Sequence, residues 1–174
     1  MPKFYTVDRI GSIEKKETID LIKYIPSVKD RRLHIDFLFS NGISKHGMRY
    51  LDDENYKIPG VERSHILEII FEYIRRGHFP KLPSRYQSFF AFEKIEECVW
   101  FRNDKKSPSA PIYEVECDTY FRADMNCLYL LKNMCDLSIK AHRYWSGQPA
   151  SDIPPVWEIL LTPPVKIVKL IELN

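Results

Sequence analysis

The chain closes with two apolar, β-branched runs, Val156 to Leu161 and Val165 to Leu173, separated only by Thr162-Pro163-Pro164. Residues of this type favour a pleated, half-buried surface, and a diproline link is too short for a helix, so the sequence predicts two strands paired around a tight connection. An equally clear helix lies upstream. From about Ser64 the residues Ile66, Ile69, Ile70, Tyr73 and Ile74 recur on one face, Arg75 and Arg76 fill the last turn, Gly77 follows, and Pro80 marks the stop. A chain carrying both signals is α+β, and 174 residues suit one domain over 1–174 with a real core rather than two.

The other elements are read the same way. Lys3 to Val7 alternates as a strand, Gly11-Ser12-Ile13 is a loop, and Thr18 to Tyr24 is a second extended piece. Leu33, Ile35, Phe37 and Phe39 recur at every second position, which predicts a strand from Arg31 to Phe39, although Phe37-Leu38-Phe39 also suits a helix. Asn41-Gly42 and His46-Gly47 mark turns, and 52–60 reads as a surface loop. Gln87 to Phe92 reads as a buried strand running straight into a helix from Glu93 to about Arg102, with Ile95, Cys98 and Val99 inward. Ile112 to Cys117 alternates as a strand, and Asn126 to Leu137 and Ile139 to Trp145 read as two helical pieces.

Charge and composition remove several function classes. With 26 basic against 24 acidic side chains the net charge is +2, which argues against a protein that coats duplex nucleic acid by counterion release alone. No apolar run approaches the roughly 20 residues of a membrane span, and Met1-Pro2-Lys3-Phe4-Tyr5 lacks the pattern of a secretory leader. The expectation is a cytoplasmic protein without membrane contact. Cys98, Cys117, Cys127 and Cys135 show no CxxC spacing, and His34, His46, His65, His78 and His142 show no ligand spacing. The thiols read as buried or idle ones in a reducing compartment, and no metal site is expected.

Three segments, in order along the chain, resemble elements of the ADP-ribosyltransferase superfamily. Phe4-Tyr5-Thr6-Val7-Asp8-Arg9 resembles the opening strand that carries the nicotinamide-anchoring residue. Ser88-Phe89-Phe90-Ala91-Phe92-Glu93-Lys94-Ile95-Glu96-Glu97 is similar to the strand-to-helix element of the poly(ADP-ribose) polymerases. Val156-Trp157-Glu158-Ile159-Leu160-Leu161 with Val165-Lys166-Ile167-Val168 is similar to the strand bearing the catalytic glutamate and to the final strand, a tail shared with rifampin-type transferases. Phe79 to Ser88 and Phe121-Arg122-Ala123-Asp124-Met125 look like phrases of an uncharacterised bacterial and phage family of the same kind. The resemblance implies a split β-sheet sandwich with flanking helices, NAD+ as substrate, and a macromolecular acceptor, protein or nucleic acid. A toxin or a phage and host conflict effector is the implied setting. The family's first strand usually places His or Arg where Thr6 stands; Thr6 offers a single hydroxyl, with Arg9 three residues on.

Cleaving the bond from nicotinamide to ribose develops oxocarbenium character, so such a site needs a carboxylate near the ribose and a wall for the leaving ring. Glu158, set among apolar strand residues, is the candidate carboxylate, although strand alternation also allows it to face solvent. Phe89 and Tyr86 are candidates for the wall, with core packing the plainer role. Ser88 is a candidate hydrogen-bond partner for ribose or carboxamide, and Arg9 and Arg85 are candidates for the pyrophosphate. Thr6 completes the predicted set. Glu68 reads as the polar face of its helix. The segment Ser44 to Tyr50, flanked by glycine, reads as a plain loop that is also placed to cover a pocket. Two alternatives stay open: a non-catalytic NAD-binding module that kept the fold, and a nucleic-acid-binding protein using Arg75, Arg76, Arg85, Lys105 and Lys106.

Overall fold

The computed structural model describes residues 1–9, 11, 13, 16–51, 61–129, 133–150 and 153–172. The loop expected at 52–60, and Ser12 of the loop after the first strand, lie outside the described residues. The chain is α+β, with two antiparallel sheets and four α-helices among the described residues. Strands β1 (Lys3–Val7), β2 (Thr18–Ile19), β4 (Ile112–Glu116) and β7 (Val165–Ile171) form a four-stranded sheet in the order β1-β4-β7-β2. Strands β3 (Phe89–Ala91), β5 (Tyr120–Asp124) and β6 (Trp157–Leu161) form a three-stranded sheet in the order β3-β6-β5. One pair of backbone bonds between Tyr5 and Phe92, 2.7 and 2.9 Å long, ties the two sheets at their β1 and β3 edges.

The two C-terminal runs are strands, but they do not pair with each other. β6 lies between β3 and β5, whereas β7 lies between β4 and β2. A diproline has no backbone N–H to continue a ladder, so Thr162-Pro163-Pro164 carries the chain from one sheet to the other instead of closing a hairpin. The two sheets then bury Phe4, Ile159, Leu161 and Val165 against each other. Alternation along β6 sends Leu160 to the opposite face, into a cluster with Leu67 and Phe71 of α2 (Val61–His78) and Tyr144 and Trp145 of α4 (Met134–Trp145). Glu158 shares the parity of Leu160 and so points toward the helices. α3 (Ile95–Asp104) buries Cys98 with Phe92 and Ile112, and Val99 and Phe101 pack on that cluster.

Three further expectations are corrected. Residues Lys29–Leu38 form a helix, α1, not a strand. Its alternating apolar residues separate onto two helical faces at i, i+4 spacing, with Ile35 and Phe39 buried and Leu33 and Phe37 exposed. Asp30 in its first turn suits the positive end of the helix dipole. The extended piece near Thr18 is limited to Thr18–Ile19, and the two helical pieces after Asn126 are a short 3-10 turn, Met125–Cys127, and the single helix α4.

Helix α2 is where expected but is rotated: Ile70 and Ile74 of the expected face pack against the core, and the rest of that face does not. Ile66, Ile69 and Tyr73 are exposed, while Leu67, Glu68, Phe71, Glu72 and Arg75 are buried. A buried carboxylate is tolerated only with charged or hydrogen-bonding partners. Glu72 has them: it receives Arg75 at 2.8 and 3.0 Å, Arg76 at 2.7 Å and the Ser84 hydroxyl at 2.8 Å.

Candidate functional site

Below the place where β1 and β3 meet, the structure holds a cleft of about 500 Å³, within the range of small-molecule sites. Phe89, Phe90, Phe92 and Phe101 contribute aromatic surface to it, and Thr6, Arg9, Arg85 and Glu158 also line it. Five of the seven predicted site residues therefore share one cleft. Tyr86 and Ser88 do not. The Tyr86 ring packs in a core cluster, 5.1 Å from the Phe39 ring, and Ser88 is fully buried with its hydroxyl donating to the Ser84 carbonyl at 2.8 Å. Tyr86 lies within the 3-10 turn Arg85–Gln87 and Ser88 directly after it, and the turn sends Arg85 toward the cleft and these neighbours into the core.

Glu158 is 5% exposed and lies in a buried ionic network. Arg85 donates from Nε to Glu68 at 2.8 and 3.0 Å and from Nη2 to Glu68 at 2.9 Å, while its Nη1 donates to Glu158 Oε1 and to the Tyr144 hydroxyl. The Tyr144 hydroxyl in turn donates to Glu158 Oε1 at 2.6 Å. The guanidinium also stacks over the Phe90 ring, 4.8 Å from its centre. Among the described residues no hydrogen bond reaches Glu158 Oε2.

Two carboxylates share one guanidinium, so the cluster carries one excess negative charge in a low-dielectric setting. Burial pushes the Glu158 carboxyl above the ordinary carboxylate range, with Arg85 and Tyr144 pulling against it and Glu68 adding to the rise. Burial also opposes the charge on Arg85, but Glu158 and Glu68 outweigh it and hold the guanidinium charged well above its usual range. This engagement leaves Arg85 a partner of carboxylates and not the free phosphate anchor expected of it. Glu68, read from sequence as a solvent-facing helix residue, is 3% exposed and completes the network.

Thr6 donates its hydroxyl to the Phe90 carbonyl at 2.8 Å, which braces β1 against β3. Arg9, in the turn after β1, lies over the Phe101 ring at 5.3 Å. Burial lowers its pKa, and the charge of Arg49 lowers it further.

Arg49 belongs to the segment Ser44 to Tyr50, which the sequence marked as a plain loop also placed to cover a pocket. The 3-10 turn Gly47–Tyr50 and the residues before it are pinned to one carbonyl, that of Tyr86, by the Ser44 backbone at 2.9 Å and the Ser44 hydroxyl at 3.1 Å; Gly47 N–H returns to the same hydroxyl at 2.9 Å. The result is that Lys45, His46, Arg49 and Tyr50 face the cleft. His46 packs on Phe90 with ring centres 4.5 Å apart, and its Nε2 lies 2.9 Å from the Tyr50 hydroxyl. Burial, then Arg85, Arg49 and Arg9, push His46 well below its usual range, so it stays neutral.

Glycine is required at position 47 by this close approach. A Cβ there would lie 2.1 Å from the Tyr86 carbonyl oxygen. Gly47→Ala is expected to cost roughly 1–3 kcal/mol, as overpacking does, read as a lower urea midpoint at unchanged slope. Wild-type stability in that variant would mean that the segment is not held against Tyr86.

The basic residues that suggested nucleic acid are largely committed elsewhere. Arg75 and Arg85 are buried in ion pairs, Arg76 pairs with Glu72, and Lys105 pairs with Asp104 at 2.7 Å. Among the described residues no group of three or more His, Cys, Asp or Glu is arranged to hold a metal ion, and no helix is long and apolar enough to cross a membrane.

A family model described as "Protein of unknown function (DUF2441)" matches residues 6–173. No curated protein matches the chain.

Proposed function

We propose that this chain, which belongs to the DUF2441 family, has an ADP-ribosyltransferase-like fold and transfers ADP-ribose from NAD+ to a macromolecular acceptor. One observation carries the reading: a buried carboxylate, Glu158, lines an aromatic-walled cleft that Arg9, Arg49 and Lys45 also line. The resemblance of the β1, β3 and β6 sequences supports it. Phe89 and Phe90 offer faces for the flat nicotinamide cation.

In this reaction the bond from ribose C1′ to the nicotinamide nitrogen breaks, and its electron pair stays with the ring, which leaves as neutral nicotinamide. Positive charge then develops at the ribose. The excess negative charge of the Glu68, Arg85 and Glu158 cluster favours that charge electrostatically, with Glu158 Oε2 as the near acceptor. The acceptor's nucleophile captures C1′ and gives up its proton. Arg85 and Tyr144 fix the carboxylate by holding Oε1, so little reorganisation is needed at the moment of cleavage.

Incubation with NAD+ labelled in the adenylate half and in nicotinamide, with cell lysate as acceptor source, tests the proposal. Equal release of nicotinamide and incorporation of label into macromolecules is expected. Binding of NAD+ with neither product would refute transfer.

That outcome would favour a second reading, a module that binds the dinucleotide without cleaving it. The observation on its side is that Oε1 of Glu158 is already committed to Arg85 and Tyr144, and that Thr6 spends its hydroxyl on a backbone carbonyl. Such a module gains stability from NAD+, roughly 2.7 kcal/mol at a hundredfold excess over Kd, and releases no nicotinamide.

A further inference from the structure

Arg9 and Arg49 come from separate parts of the chain, the turn after β1 and the 3-10 turn Gly47–Tyr50, yet both line the one cleft. Four carboxylates line it with them. Glu68 and Glu158 are bound to Arg85, Asp20 accepts the Thr18 hydroxyl at 3.1 Å, and Asp8 accepts the Ile13 N–H at 2.8 Å. Among the described residues none forms an ion pair with Arg9 or Arg49. The Nε of Arg49 is buried and has no hydrogen-bond partner among the described residues. A buried guanidinium N–H left unpaired is costly, and the exposed Arg9 beside it adds a second cation that repels the first. The charge of Arg49 is felt at Arg9, and both are felt at His46. Lys16 and Lys45 line the same space and add to the positive field.

An arrangement of this kind is completed by an anion that accepts from both forks. We propose that Arg9 and Arg49 form the subsite for the diphosphate of a nucleotide ligand, with the ligand's flat ring carried by the aromatic wall. Guanidinium forks match phosphate oxygens bidentately, and the ring of Phe101 beneath Arg9 keeps that fork oriented. The assignment of a dinucleotide's diphosphate rests on the NAD+ reading of the cleft; the anion subsite itself rests on the two arginines. It also replaces Arg85, whose guanidinium faces carboxylates, as the phosphate partner.

Calorimetric titration of the full chain with inorganic pyrophosphate, ADP and adenosine tests it, in wild type and in the variants Arg9→Gln, Arg49→Gln and Arg49→Lys. ADP is expected to bind more tightly than either fragment. Each glutamine variant is expected to weaken pyrophosphate and ADP by roughly tenfold or more, and to flatten the dependence on salt, with adenosine unchanged. Arg49→Lys keeps the charge and loses the fork, and falls between. Adenosine binding reports that the variants keep their fold, and circular dichroism and a urea midpoint report it if adenosine is too weak to measure.

Pyrophosphate and ADP binding that is absent in wild type, or unchanged in both glutamine variants, overturns the subsite. Binding that behaves as expected while labelled NAD+ stays intact upholds the subsite and removes the transfer reaction. Nicotinamide release that proceeds equally well in both glutamine variants does the reverse.

Discussion

Arg85→Ala is expected to be among the most damaging single substitutions in this protein. The guanidinium is 5% exposed and compensates two buried carboxylates, so its loss takes from Glu68 its donor and leaves Glu158 the Tyr144 hydroxyl. Removing one partner of a buried ion pair costs roughly 3–5 kcal/mol, a large part of the 5–15 kcal/mol that holds a typical domain together. Removal of the stacking surface against Phe90 adds to the loss. The deficit has a predictable pH dependence. With Arg85 gone the buried Glu158 carboxyl, already raised by burial, binds its proton more tightly folded than unfolded, so the variant comes nearest to wild type at acid pH and falls away as pH rises through the raised value. Urea titrations at several pH values would show this, and Glu68→Gln in the Arg85→Ala background is expected to restore part of the stability. An Arg85→Ala variant within 0.5 kcal/mol of wild type at neutral pH would mean that the network contributes little to the fold.

That network explains why the sequence disclosed some parts of the site and concealed others. Strand periodicity is local, and Lys3 to Val7 and the segments carrying β4 and β6 were legible from it. The partner of each strand was not, because nothing local distinguishes a diproline hairpin from a diproline crossover between sheets. In α2 the isoleucines gave a convincing apolar face, yet the face with Glu68, Glu72 and Arg75 beside Leu67 and Phe71 is the buried one. Hydrophobicity scales treat those acids as surface residues, whereas their burial is made tolerable by Arg85 and Ser84, placed on the helix's far side by a later loop. A signal was present: two acids four residues apart, flanked by large apolar residues, with a basic residue three positions on.

The cleft itself followed the same division. Glu158, Thr6, Arg9, Arg85 and Phe89, singled out in the sequence, line the cleft. His46, Arg49 and Tyr50 enter from a turn whose position depends on hydrogen bonds to the Tyr86 carbonyl, some 40 residues later in the chain. Gly47 was the clue, since a glycine before a bulky segment often marks a close backbone approach.

Glu158→Gln is expected to lower nicotinamide release by roughly 10²- to 10³-fold while leaving the apparent KM for NAD+ nearly unchanged. The amide keeps an oxygen for Arg85 and Tyr144 and nearly the same volume, so the fold is retained. In the proposed reaction it loses the negative charge that stabilises the developing cation at the ribose, an interaction made chiefly in the transition state. The pH profile separates this role from a merely structural one. In the proposed reaction the charged carboxylate is the active form, and burial holds its pKa above the ordinary carboxylate range. Activity of the wild type should therefore fall, as pH is lowered, at a higher pH than an exposed glutamate would dictate, and the residual activity of Glu158→Gln should lack that acid limb. A variant that loses stability but keeps its rate and its acid limb would assign Glu158 to the support of Arg85 alone, and the cleavage of NAD+ would then need another carboxylate.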